Sequence, residues 1–107
     1  MFEYYNKRLR EINEDFKKNK DKYFKIISEI AKKYKGKAYL FGSQIKGTAI
    51  ASSDVDVLIE IPCNVYWLTV LSELMREIRN PKFEFHIHCG KEAEELKKLI
   101  KDYIELD

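Results

Sequence analysis

Two aspartates one residue apart, Asp54 and Asp56, open an apolar run that stops at Pro62. In a β-strand, residues two apart project from the same face. The two carboxylates therefore stand side by side, with Val55, Val57 and Ile59 on the opposite face. Like charges that close repel, and a shared divalent cation relieves the repulsion. Upstream, the apolar run 38–41 ends at Gly42-Ser43. Glycine lets a backbone turn sharply and approach a ligand closely. A helix starting just after it offers free N–H groups, with the Ser43 hydroxyl, to a phosphate. A phosphate cradle beside a carboxylate pair is the chemistry of a metal-nucleotide site.

Positioning these groups takes a strand over about 37–41, a short helix after Ser43, and a second strand over about 54–61. Residues 3–35 hold no Gly and no Pro. There Leu9, Ile12 and Phe16 recur at helical spacing, as do Tyr23, Ile26, Ile27, Ile30 and Tyr34. The spacing predicts one or two helices, with room for a break in the polar run 17–22 and a stop at Gly36. The lysines of that run read as a solvated face. Asn64 is placed as the cap of a helix reaching about Arg79, whose stripe Val65, Leu68, Leu71, Met75 and Ile78 is assigned to the core. Tyr66 and Trp67 at its start are assigned to core or interface. Asn80-Pro81 makes a turn.

A third strand over 82–88 alternates strictly, with Phe83, Phe85 and Ile87 facing one way and Glu84, His86 and His88 the other. A last helix from near Lys91 carries Leu96, Leu99, Ile100, Tyr103 and Ile104. The predicted order is α-β-α-β-α-β-α, one small α/β or α+β domain over residues 1–107. If strands two and three are neighbours, Glu84 joins Asp54 and Asp56 on one surface. The pattern alone does not fix that adjacency.

Gly42-Ser43, then Gly47, then Ser53-Asp54-x-Asp56 on a strand resembles the polymerase-β-like nucleotidyltransferase superfamily, and the short length points to its minimal nucleotidyltransferase (MNT) branch. The specific resemblance covers about residues 38–61. It implies a small mixed sheet with helices packed on one face and an open catalytic face. It also implies Mg²⁺-dependent transfer of a nucleoside monophosphate, AMP from ATP or another NTP, to a hydroxyl. Two Mg²⁺ ions would stabilise both ends of such an in-line displacement. By this resemblance Asp54 and Asp56 are metal ligands, and Glu84 is the third acid, where Asp is usual. Gly42, Ser43, Gln44, Lys46 and Ser53 form the nucleotide site. Relatives often carry Arg where Gln44 and Lys46 stand; Lys46 keeps the charge and Gln44 does not. Gly47 is expected to allow close packing behind the loop, and Ser53 to orient Asp54 or form the turn into the second strand.

The resemblance further implies a small helical HEPN-type partner in a toxin–antitoxin pair, with a toxin tyrosine as AMP acceptor. Almost every element is used in forming the fold, so a second protein or a second subunit is expected to complete the site. A rival reading is a catalytically weak or silent binding module that neutralises its partner by occlusion, motivated by Gln44 and Glu84. A third is a nucleotide sensor without turnover.

Other classes fit less well. An EF-hand loop fails, because Val57-Leu58-Ile59 stands where polar ligands and a glycine are needed. Glu84, His86 and His88 form a row that can ligate zinc; the reading adopted is a polar, solvent-facing row, with His86 near enough to the site for proton transfer or substrate contact. Charge is dense at 36 % but balanced at +2, which does not indicate nucleic-acid binding. No apolar run is long enough to cross a membrane, and the N-terminus lacks the pattern of a signal peptide, so the expected location is the cytoplasm. In that compartment Cys63 and Cys89, without CxxC spacing, read as free thiols.

Overall fold

The structure is a computed structural model and describes residues 2–107. The elements are α1 (Phe2–Lys33), β1 (Lys37–Phe41), α2 (Ser43–Lys46), β2 (Val55–Glu60), α3 (Trp67–Glu77), β3 (Phe83–His88), α4 (Gly90–Ile100) and β4 (Tyr103–Leu106). They build an α+β domain around a mixed sheet of order β3-β2-β1-β4. β1 pairs antiparallel with β2 and β4, and β2 pairs parallel with β3 through the α3 crossover.

The alternation read in β2 and β3 has the consequence expected of it. Val55, Val57, Ile59 and Phe83 are buried on the face that carries α1 and α3, with Phe85 and Ile87 packed beside them. Phe16, Ile27, Ile30 and Ala31 of α1, and Val70, Leu74 and Ile78 at α3, close this core. α4 lies over part of the second face, where Leu96 and Ile100 pack on Tyr39, Phe41 and Leu58.

α1 is one unbroken helix of 32 residues. Phe16, Tyr23 and Ile27 keep the apolar period across the lysine run, so the lysines need no break. The helix ends in a left-handed residue, which is Lys35 (φ 62°) rather than Gly36. The Gly36 N–H then bonds the Ala31 carbonyl at 2.8 Å and that of Lys35 bonds Lys32 at 2.9 Å, closing the helix end.

Four further expectations are corrected. α3 starts at Trp67 with Tyr66, not Asn64, at its cap. Its buried stripe is Val70, Leu74 and Ile78, while Leu68 and Met75, two turns apart, are exposed; Tyr66 and Trp67 are exposed as well. The last helix ends at Ile100, because Lys101 takes a positive φ of 62° and turns the chain back. Tyr103 and Ile104, which continue the helical spacing, instead enter β4 and satisfy the free edge of β1. Cys63 and Cys89 form a disulfide across the ends of β2 and β3, with a Cα separation of 5.1 Å, within the usual range for that bond. The parallel pairing brings the two ends together, which spacing in the sequence cannot reveal.

Candidate active site

The acids meet because β2 and β3 pair in parallel with Asp56 opposite Glu84 and Leu58 opposite His86. Side chains at these positions share the face away from α1 and α3. Ligand atoms of Asp56, Glu84 and His86 all lie within 4.8 Å of one another. The His86 Nε2 is 3.2 Å from Asp56 Oδ1 and 3.8 Å from Glu84 Oε1. The imidazole rests against the buried ring of Phe41 on β1, with centroids 5.2 Å apart. Two carboxylates and an imidazole in reach of one point are a donor set that fits a divalent cation.

Asp54 precedes β2 and stands outside the group formed by Asp56, Glu84 and His86, though near enough to act on the Glu84 carboxyl. Desolvation raises the Glu84 carboxyl above its usual range, even though half of its side chain meets solvent. Asp54 and the Asp56 charge raise it further, and His86 opposes them. Three acids gathered on one surface thus disfavour a third negative charge there.

The Gly42 turn closes against the same acids. Gly42 has φ 80° and ψ −151°, a conformation side chains disfavour. A β-carbon there would stand 2.6 Å from Oδ2 of Asp56. The N–H groups of Ile45 and Lys46 bond the Gly42 carbonyl, which leaves those of Ser43 and Gln44 to other acceptors. Gly47 caps α2 at φ 74°. Nothing lies within 4 Å of a β-carbon added to Gly47, so its role is the left-handed turn and not the close packing expected of it.

Ser53 builds the turn into β2. Its hydroxyl accepts from the Ile50 N–H at 2.9 Å. Lys82 braces the same turn from beneath. Its Nζ donates to the carbonyls of Ser53 at 2.8 Å and Ala51 at 3.1 Å. Burial pushes the Lys82 ammonium below its usual range, against the pull of Asp54. Sequence reasoning passed over Lys82; its position directly before an alternating strand, two residues from Glu84, was the available signal.

The remaining residues divide. Gln44 lines a groove of about 870 Å³ against α1, with Arg10, Lys17 and Lys82. Lys46 is exposed at the end of α2. His88 turns from the cluster to Glu92 of α4, Nδ1 to Oε2 3.4 Å. The row of Glu84, His86 and His88 is therefore split, and Asp56 takes the place that His88 would have had.

The family profile described as a nucleotidyltransferase domain matches residues 9–106. A crystal structure of a protein assigned as a nucleotidyltransferase is similar at 34% identity and a TM-score of 0.62, covering 78% of this chain and 96% of that one. No curated protein matches the chain.

Proposed function

This chain belongs to the nucleotidyltransferase domain family, and on that premise we propose that it moves a nucleoside monophosphate, AMP from ATP, onto a hydroxyl acceptor. The observation that carries the reading is the contact between the Gly42 turn and the Asp56 carboxylate. It joins a phosphate-binding turn to a cation-binding acid with no side chain between them.

In this reading Gly42 and Ser43 hold the β- and γ-phosphates, with Lys46 supplying charge and Gln44 a neutral contact. Ser53, tied to Ile50 and Lys82, fixes the turn that aims Asp54. Asp54, Asp56 and Glu84 would hold Mg²⁺, which would offset the charge developing on the phosphate oxygens. The acceptor oxygen bonds to the α-phosphorus as the bridging P–O bond breaks and pyrophosphate leaves. The hydroxyl proton passes to the Glu84 carboxylate, which shares the open face with Asp56.

We place residues 1–107 in the MNT branch as one domain. A small helical HEPN-type protein is the partner in this proposal, and one of its tyrosines the acceptor. The exposed Phe2, Tyr4 and Tyr5 at the start of α1 and the exposed Leu68 and Met75 on α3 leave surface for a partner.

Label transfer from α-labelled ATP with Mg²⁺, in an extract of the source organism, tests the reading. A labelled protein band should form with the wild type and be lost with Asp54→Asn/Asp56→Asn. Transfer undiminished in the double variant rejects the site. Partner binding by both proteins with no transfer by either supports occlusion instead.

A further inference from the structure

We propose that His86 is a cation ligand beside Asp56 and Glu84, and that it turns the site toward divalent ions that accept an imidazole nitrogen, such as Mn²⁺ or Co²⁺, over Mg²⁺. The inference rests on the nucleotidyltransferase site described above and concerns which ion that site takes.

Geometry supports it first. Donors bound to one ion at about 2.1 Å and at right angles stand roughly 3 Å apart. His86 Nε2 and Asp56 Oδ1 are 3.2 Å apart. Glu84 Oε1, at 3.8 Å, needs only a small rotation of a side chain that is half exposed. The His86 ring is held in place, because Phe41, only 8% exposed, packs on it. Its backbone is fixed by the parallel register with Leu58. An ion entering between Asp56 and Glu84 meets Nε2 without rearrangement of the sheet.

The chemistry of the donors then sets the preference. Mg²⁺ favours oxygen donors and gives up water reluctantly. Replacing one oxygen by an imidazole nitrogen favours ions further along the first transition row. His88 plays no part, since it pairs with Glu92. The competing account has the imidazole N–H merely orienting the Asp56 carboxylate.

The test is metal binding without turnover, at one fixed pH. Mn²⁺ is titrated into the protein while free ion is followed by electron paramagnetic resonance, and Mg²⁺ affinity is read by competition. Wild type, His86→Ala, His86→Gln and Asp56→Asn are compared, each checked for folding by circular dichroism. His86→Ala and His86→Gln should each lose about tenfold or more in Mn²⁺ affinity while Mg²⁺ affinity stays within about threefold. In the wild type, bound Co²⁺ should show a ligand-field spectrum that His86→Ala changes. Mn²⁺ and Mg²⁺ affinities that fall together in both His86 variants overturn the proposal in favour of an orienting role. An unchanged ratio with unchanged affinities also overturns it. Asp56→Asn should weaken both ions; if it weakens neither, the cation site itself is wrong and the nucleotidyltransferase reading falls separately.

Discussion

A β-carbon on Gly42 and Oδ2 of Asp56 cannot share the 2.6 Å between them, so Gly42→Ala must displace the carboxylate or the turn. Misplacing a reacting group by about 1 Å can cost about a hundredfold in rate. Gly42→Ala should therefore lower kcat/KM by roughly ten- to a hundredfold, with a stability loss of about 1–3 kcal/mol from the strained backbone. Gly47→Ala is the matched control. It meets no neighbour and bears only the left-handed strain, about 1–2 kcal/mol, so its transfer rate should stay near that of the wild type. Equal rate losses in the two variants would show that strain, and not the contact with Asp56, governs the site. The presence of glycine at both positions was legible. Which one needs space and which one needs a positive φ was not, because that depends on what lies opposite.

At the scale of elements, α1 is fastened to the turn before β3 by polar groups. Asn80 is buried and donates to the Ile12 carbonyl at 3.0 Å and the Asp15 carboxylate at 2.9 Å. Its own Oδ1 accepts from the Lys82 N–H at 2.8 Å. The Tyr23 hydroxyl donates to the same Asp15 carboxylate. Burial, then the bond to Asp15, pushes the Tyr23 hydroxyl from 10.0 up to about 12. A folded-state value above the unfolded one gives stability that is complete below about pH 10 and is lost as pH rises through about 12. Tyr23→Phe should lose about 1 kcal/mol near neutral pH and should lack that alkaline decline. Denaturant titrations of both proteins between about pH 8 and about pH 12 check this, and parallel pH profiles would refute it. Because the same tie fixes Lys82 under the Ser53 turn, α1 stabilises the approach to Asp54 without touching the acids.

Over the whole molecule, function and covalent restraint sit at opposite ends of the β2–β3 pair. Asp54, Asp56 and Glu84 lie at the starts of these strands, and Cys63 and Cys89 follow their ends. A cross-link between positions 26 residues apart restricts the unfolded chain by about 3.5 kcal/mol. Reduction, or Cys63→Ser/Cys89→Ser, should lower the thermal midpoint by roughly 15 °C or more, while transfer measured below that midpoint persists. Loss of transfer from a folded, reduced protein would show that the far end of the sheet governs the acids.

The sequence by itself determined the local things: the strands ending at Phe41 and beginning near Asp54, the alternation of Phe83–His88, and the helical character of the stretch ahead of them, though not whether it was one helix or two. These follow from side-chain period and from breakers, which neighbours in the chain decide. Asp54 and Asp56 were legible as candidates by the same alternation, but the structure places Asp54 just before β2, and the group drawn together is Asp56, Glu84 and His86. Only the tertiary structure decided what depends on pairing. The parallel register set Asp56 against Glu84, drew in His86 where a solvent-facing row was expected, and joined Cys63 to Cys89. The open edge of β1 drew Tyr103–Leu106 from a helical pattern into a strand, because unpaired backbone groups gain more from a sheet edge than four residues gain from extending a helix.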